Sequence, residues 1–203
     1  MIALGDREHD AVCELVNIAS GNAASALAQL LGQRTMISVP KLTFAQLEDI
    51  SNVLGSSGEP NVVISMQMIG DVTGCLLLAM PMPRAHELSA RLLRLATPQS
   101  GDFDKNSQSA LQETANILGG AYAGALGVVL GGIVMISVPS FGVTPPNDLL
   151  TRLRTASNPT PYGLCIETTF TIGDDEVECG GHMVLLPGDG ALESIVSSLN
   201  LIA

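Results

Sequence analysis

Aromatic residues are scarce in this chain, at 3% of 203 positions with no tryptophan. A core must therefore be built from Leu, Val, Ile, Ala and Met. Charge is scarce as well, at 14%, and it leans one way: nine Lys and Arg stand against 20 Asp and Glu, a net charge of −11. Proteins that bind nucleic acid displace counterions with clustered Lys and Arg, and this chain has neither the number nor a cluster. A neutral or basic protein partner fits the balance better. No pair among Cys13, Cys75, Cys165 and Cys179 has CxxC spacing, and no charged stretch followed by an apolar one comes after Met1. The thiols therefore read as reduced, mostly buried residues of a cytoplasmic protein. No metal site is indicated: His9 and Cys13 stand four apart on a predicted helix, and no further ligand joins them in the sequence.

What is present is apolar. Hydrophobic residues make up 46% of the chain, enough to bury a core without disulfide or metal staples. Thr114 to Asn147 carries no charge, a length that could span a bilayer. No Lys or Arg cluster flanks it, as an inserted helix usually has. Leu130-Gly131-Gly132-Ile133 looks like a helix stop followed by a β-branched strand to Val138. The expectation is a buried Gly/Ala-rich helix and a strand rather than a membrane span.

The chain repeats itself. At an offset of 99 residues, His9–Pro40 and Gln108–Pro139 are identical at 15 of 32 positions without a gap, and both close on Met-Ile-Ser-Val-Pro. Each block is followed by a predicted hairpin, Val62–Met80 turning at Gly70-Asp71 and Tyr162–Leu186 turning at Gly173-Asp174-Asp175. Each hairpin ends at a proline, Pro81 or Pro187, and leads into a helical pattern, Pro83–Leu95 or Gly190–Leu201. Gly101–Ser107 is a polar linker. Residues 145–161 read as a surface loop holding a short amphipathic helix, with Asp148 near its start. The expected fold is α/β (α+β): one domain over 1–203 made of two helix–strand–hairpin–helix repeats, about 6–100 and 107–203. The halves would share a sheet with pseudo-twofold symmetry, covered by helices.

Three polar positions recur in the repeated helix: Asp10, Glu14 and Asn17 in the first copy, Ser109, Glu113 and Asn116 in the second. Spacings of four and three put each trio on one helical face. Val12, Leu15, Ala19 and Leu27, and Leu111, Ala115, Leu118 and Leu126, form the opposite, apolar faces. Such a trio equally suits a plain solvated face. No repeated Ser-His-Asp or Cys-His arrangement accompanies it, and no Gly-x-x-x-x-Gly-Lys loop. A Glu can pair with a cation on another molecule. An Asn carboxamide can hold a water through its donor and its acceptor. Phosphoryl transfer asks for little more than positioning and charge stabilisation. The second helix carries Gly119, Gly120, Gly124 and Gly127 where the first has Ser20, Gly21, Ser25 and Ala28. It is therefore softer or more closely packed.

The pattern Asp or Ser, three residues, Glu, two residues, Asn, 22 residues, Pro is met by Asp10, Glu14, Asn17 and Pro40, and again by Ser109, Glu113, Asn116 and Pro139. It resembles the CheC/CheX/FliY family of chemotaxis phosphatases, and the two-copy layout is similar to that of CheC-like members. The likeness runs from about Asp6 to Leu201. It implies hydrolysis of the aspartyl phosphate of a CheY-like response regulator. Glu14 and Glu113 would contact the regulator's Lys, and Asn17 and Asn116 would orient the attacking water. Asp10 and Ser109 would be helpers, and Pro40 and Pro139 would end strands. The regulator would supply Mg²⁺, so this chain would bind no cofactor. A CheD-like receptor deamidase is a further implied partner, with Asn147–Arg154, including Asp148, as the candidate contact. The alternative is a non-catalytic module of the same fold that binds a response regulator or the flagellar switch.

Overall fold

A computed structural model describes residues 6–157, 160–173 and 178–191, together with 194, 195, 197 and 198. The chain runs α1 (Asp6–Leu31), β1 (Thr35–Gln46), α2 (Leu47–Leu54), β2 (Asn61–Gly70), β3 (Gly74–Pro81), α3 (Met82–Leu92), α4 (Lys105–Leu130), β4 (Val134–Ile136), β5 (Ser140–Thr144), α5 (Leu149–Ser157), β6 (Tyr162–Ile172) and β7 (Glu178–Pro187). Local chemistry sets the ends of α4. The Asp104 carboxylate caps its start by accepting from the Ser107 N–H at 2.7 Å. Gly131 ends it in the left-handed region, at φ 63°.

Seven antiparallel strands form one sheet in the order β1-β6-β7-β3-β2-β4, with β5 also on β2. Alternation along the strands divides the apolar side chains between two faces. Leu76, Leu78 and Met80 of β3 point to the main core with Val62, Ile64 and Met66 of β2, beneath α1, α3 and α4. Cys75, Leu77 and Ala79 point the other way with Val63, Val184 and Leu186, where α2 and α5 cover them. The apolar faces expected for the repeated helices are buried: Val12, Leu15, Ala19, Leu27, Leu111, Ala115, Leu118 and Leu126 all lie in the core. The Ser20 and Tyr122 hydroxyls join α1 to α4 by a buried hydrogen bond of 3.0 Å.

The strand order has a consequence for how the halves meet. β1 pairs with β6, and β4 and β5 pair with β2, so the leading strand of each half lies against the other half's hairpin. A pseudo-twofold arrangement is compatible with this order.

Several expectations need correction. Pro40 does not end a strand. β1 continues past it to Gln46, and the ladder shifts register between Ser38 and Lys41, an irregularity on an edge strand of the kind that accommodates a residue with no N–H. The strand expected at Ile133–Val138 is shorter, Val134–Ile136, and Pro139 falls in the break before β5. The first half gains a helix, α2, that the sequence reading omits, whereas the short helix expected within residues 145–161 is present as α5. Residues 145–161 are more than a surface loop, because Leu149 and Leu153 of α5 are buried in the second core. The linker is anchored: Phe103 is buried and stacks on His86 with ring centroids 3.9 Å apart. The hairpins and their closing prolines lie where the sequence predicts, at β2–β3 and β6–β7. The turn residues Asp174 and Asp175 and half of the expected helix at Gly190–Leu201 lie outside the described residues.

The tightness of α4 is also resolved. A Cβ on Gly119 would sit 2.8 Å from Met66 Sδ and 3.1 Å from Ile136 Cδ1, and one on Gly127 would sit 2.9 Å from the Gly132 carbonyl. Gly119 lets α4 press onto the sheet and Gly127 lets the following turn fold back against the helix, whereas Gly120 and Gly124 have open space beside them. No helix among the described residues is long and apolar enough to cross a membrane.

Thiol reactivity follows from burial. Cys75, Cys165 and Cys179 are buried and Cys13 is half-buried. Burial pushes the Cys75 and Cys165 thiols up to about 11. A folded chain at pH ~8 is expected to show Cys13 reacting first with a thiol reagent, the other three only after denaturant is added. Rapid reaction of two or more thiols per native chain would contradict the described packing.

Candidate functional site

Two surfaces carry the repeated motif. On α1, Asp10, Glu14 and Asn17 are all exposed, and on α4 so are Ser109, Glu113 and Asn116. Each trio follows from helix geometry: its apolar neighbours turn into the core, so the positions four and three residues apart turn out. Glu14, Asn17, Glu113 and Asn116 engage in no side-chain hydrogen bond or ion pair among the described residues. Four polar side chains in two matching sets are thus free to meet another molecule.

The second surface is a concavity. Ser109, Gln112, Glu113 and Asn116 of α4 face Ile136, Ser137, Val138 and Pro139 across it. The motif's proline thus lies beside its Glu and Asn, though separated from Asn116 by 22 residues of chain. The Gln112 amide donates to the Pro139 carbonyl at 2.8 Å. Ser137 is tied to β2 twice: its N–H donates to the Gln67 carbonyl at 2.9 Å, and its hydroxyl accepts from the Gln67 N–H at 3.0 Å. Val138 in the middle of this wall is 87% exposed. An apolar side chain held in water beside polar ones suits contact with a macromolecule.

The first surface is built differently. Position 13 is Cys where the second copy has Gln112. The Cys13 thiol lies 3.7 Å from His9 Nδ1, and burial with the Asp10 charge raises its pKa. Asp10 also lies near His9, at 3.9 Å with both side chains largely exposed. Ile18, beside Asn17, is 51% exposed. Gln112 is the residue that sequence reasoning missed. It shares the stripe of Ser109, Glu113 and Asn116, at spacings of three and four, but it departs from the repeat, and the repeat was the signal being followed.

Asp148 is not part of either surface. It is exposed immediately before α5, on the opposite side of the sheet. There Arg154 of α5 forms an ion pair with Glu48 of α2. A further concavity on that side is lined by Lys41, Thr43, Asp49, Cys165, Glu167 and His182, with none of the motif residues. Burial holds the His182 pKa below its usual value. Among the described residues no group of three or more His, Cys, Asp or Glu could hold a metal ion.

The fold and the two surfaces define a class: an α/β module that carries paired Glu and Asn side chains on exposed helix faces. Protein-family comparison makes the class specific. Residues 8–43 match the CheC-like family, and residues 62–147 match the chemotaxis phosphatase CheX family. The chain is thus similar to two families of chemotaxis proteins, one over each stretch. It is 27% identical over 197 residues to the CheY-P phosphatase CheC of Bacillus subtilis, covering 96% of this chain and 94% of that one. Its fold is similar to that of FliY from Thermotoga maritima, with a TM-score of 0.81 at 20% identity over 100% of both chains. The FliM middle domain from H. pylori is a more distant likeness of fold, with a TM-score of 0.64 at 13% identity over 96% of this chain and 99% of that one.

Proposed function

We propose that this chain hydrolyses the aspartyl phosphate of a CheY-like response regulator at both motif surfaces. The observation that carries the reading is the pair of exposed, unengaged Glu-x-x-Asn faces on α1 and α4. The two family matches and the CheC relative support it. Glu14 or Glu113 pairs with the regulator's active-site Lys and docks the helix. Asn17 or Asn116 then holds a water through its carboxamide, donor and acceptor both engaged, in line with the phosphorus. Water oxygen bonds to phosphorus, the bond from phosphorus to the aspartyl oxygen breaks, and inorganic phosphate leaves while the carboxylate is restored. Phosphorylated Asp and Mg²⁺ both belong to the regulator in this scheme. Asp10 and Ser109 flank the reacting pair as helpers. The exposed Asp148, ahead of α5, is the candidate contact for a CheD-like deamidase, on the sheet face away from both motifs. All of this chemistry is intracellular signalling, so the cytoplasm is the proposed location.

The test is a phosphate-release time course on a purified phosphorylated CheY-like regulator, with and without this chain. Acceleration supports the reading. Binding without acceleration would instead favour the switch-type module that the FliM likeness of fold suggests. Docking has its own expected result. Glu14→Ala and Glu113→Ala together are expected to weaken association with the phosphorylated regulator roughly tenfold, because the partner's Lys is left without its counter-charge. A titration that finds unchanged affinity would remove the pairing role.

A further inference from the structure

The wall of the second concavity is a short run of chain, Ser137–Pro139, between β4 and β5. Two hydrogen bonds tie it to Gln67 of the sheet. Another, from the Gln112 amide to the Pro139 carbonyl, ties it to the helix that carries Glu113 and Asn116. This third bond spans the concavity, so it sets the gap between the helix and the wall. In the first copy, position 13 bears a thiol, a shorter and weaker donor that lies against His9. The corresponding stretch there belongs to β1, whose ladder with β6 resumes at Lys41. Strand pairing to either side of an irregularity frames the one wall, and a side-chain bond to the motif helix is added at the other.

We propose that Gln112 is a positioning residue of the second site. Its amide fixes the Ser137–Pro139 wall at the distance from α4 at which a phosphorylated partner seats against Glu113 and Asn116. Val138, apolar and exposed on that wall, becomes a fixed contact rather than a loose one. This inference rests on the reading that the second surface hydrolyses a regulator's acyl phosphate.

The experiment uses the full chain carrying Asn17→Ala, so that the second site alone reports. Adding Gln112→Ala is expected to raise KM for the phosphorylated regulator about tenfold while kcat stays within about twofold, the signature of lost partner binding rather than lost chemistry. Gln112→Glu keeps the size but offers no donor at neutral pH, and it is expected to behave like the alanine variant. Gln112→Lys restores an N–H donor and is expected to bring KM back to within about threefold of the parent. A role in packing alone would spare the Glu variant, so parental KM in Gln112→Glu overturns the clamp, as does parental KM in Gln112→Ala. The Asn17→Ala/Asn116→Ala chain separates this inference from its foundation. Full activity there overturns hydrolysis at these asparagines. Lost activity there, with unmoved KM in the Gln112 variants, overturns the clamp alone.

Discussion

Replacing Asn17 and Asn116 together by alanine is expected to return phosphate release to the regulator's own rate, a loss of about 100-fold or more if water positioning carries most of the acceleration. Alanine keeps the helix and removes both atoms that could direct a water. Both asparagines are exposed and unengaged, so no cavity opens and no internal partner is stranded. The melting temperature should barely move, since surface substitutions of this kind usually cost within about 0.5 kcal/mol. Each single variant should retain the activity of the other surface. Full activity in the double variant, measured as free phosphate against time, would refute water positioning by these side chains.

Gly74→Ala is expected to be strongly destabilising. Gly74 opens β3 with φ at +142°, a conformation that L side chains rarely adopt. A Cβ there would press into the Leu186 carbonyl oxygen and stand 2.8 Å from the Gly188 nitrogen. Both obstacles are backbone, and both belong to the second half, where Gly74 pairs with Pro187 and the Gly188 N–H donates to the Thr73 carbonyl at 2.8 Å. The sheet must separate at the seam between β3 and β7 or the strand must re-form around the methyl. Overpacking and backbone strain together suggest a loss on the order of 3 kcal/mol. Equilibrium denaturation would check it. Gly120→Ala is the control, since its Cβ would meet open space; it should be neutral or slightly stabilising. Equal stability of the two variants would contradict the described seam.

Local periodicity made the repeated helices and hairpins legible before any coordinates. Spacings of three and four sort Glu14 and Asn17 from Leu15 and Ala19 on α1, and alternation marks Val62, Ile64 and Met66 against Val63 on β2. Two features escaped for physical reasons. Leu47, Ile50 and Leu54 of α2 carry a helical apolar spacing over only eight residues, too short to distinguish from a connection until the sheet face that buries them is known. The crossing of β1 to β6 rests on contacts between residues more than 100 positions apart, which no local pattern encodes. The candidate site divides likewise. Its repeated members could be read from the chain, whereas Gln112 became visible only through its bond to Pro139.

The exchange of leading strands bears on how the molecule is born. As the chain emerges from the ribosome, β1 appears early, but its ladder partner β6 is made more than 100 residues later. The β2–β3 hairpin likewise waits for β4, β5 and β7 before its flanks are closed. Until then the nascent first half carries open strand edges and a half-covered apolar face, the condition in which chains stick to one another. Such long-range pairing also slows folding. Completion must therefore wait until β6 and β7 have left the exit tunnel, and a stalled or truncated product would be a client for chaperones rather than a working half.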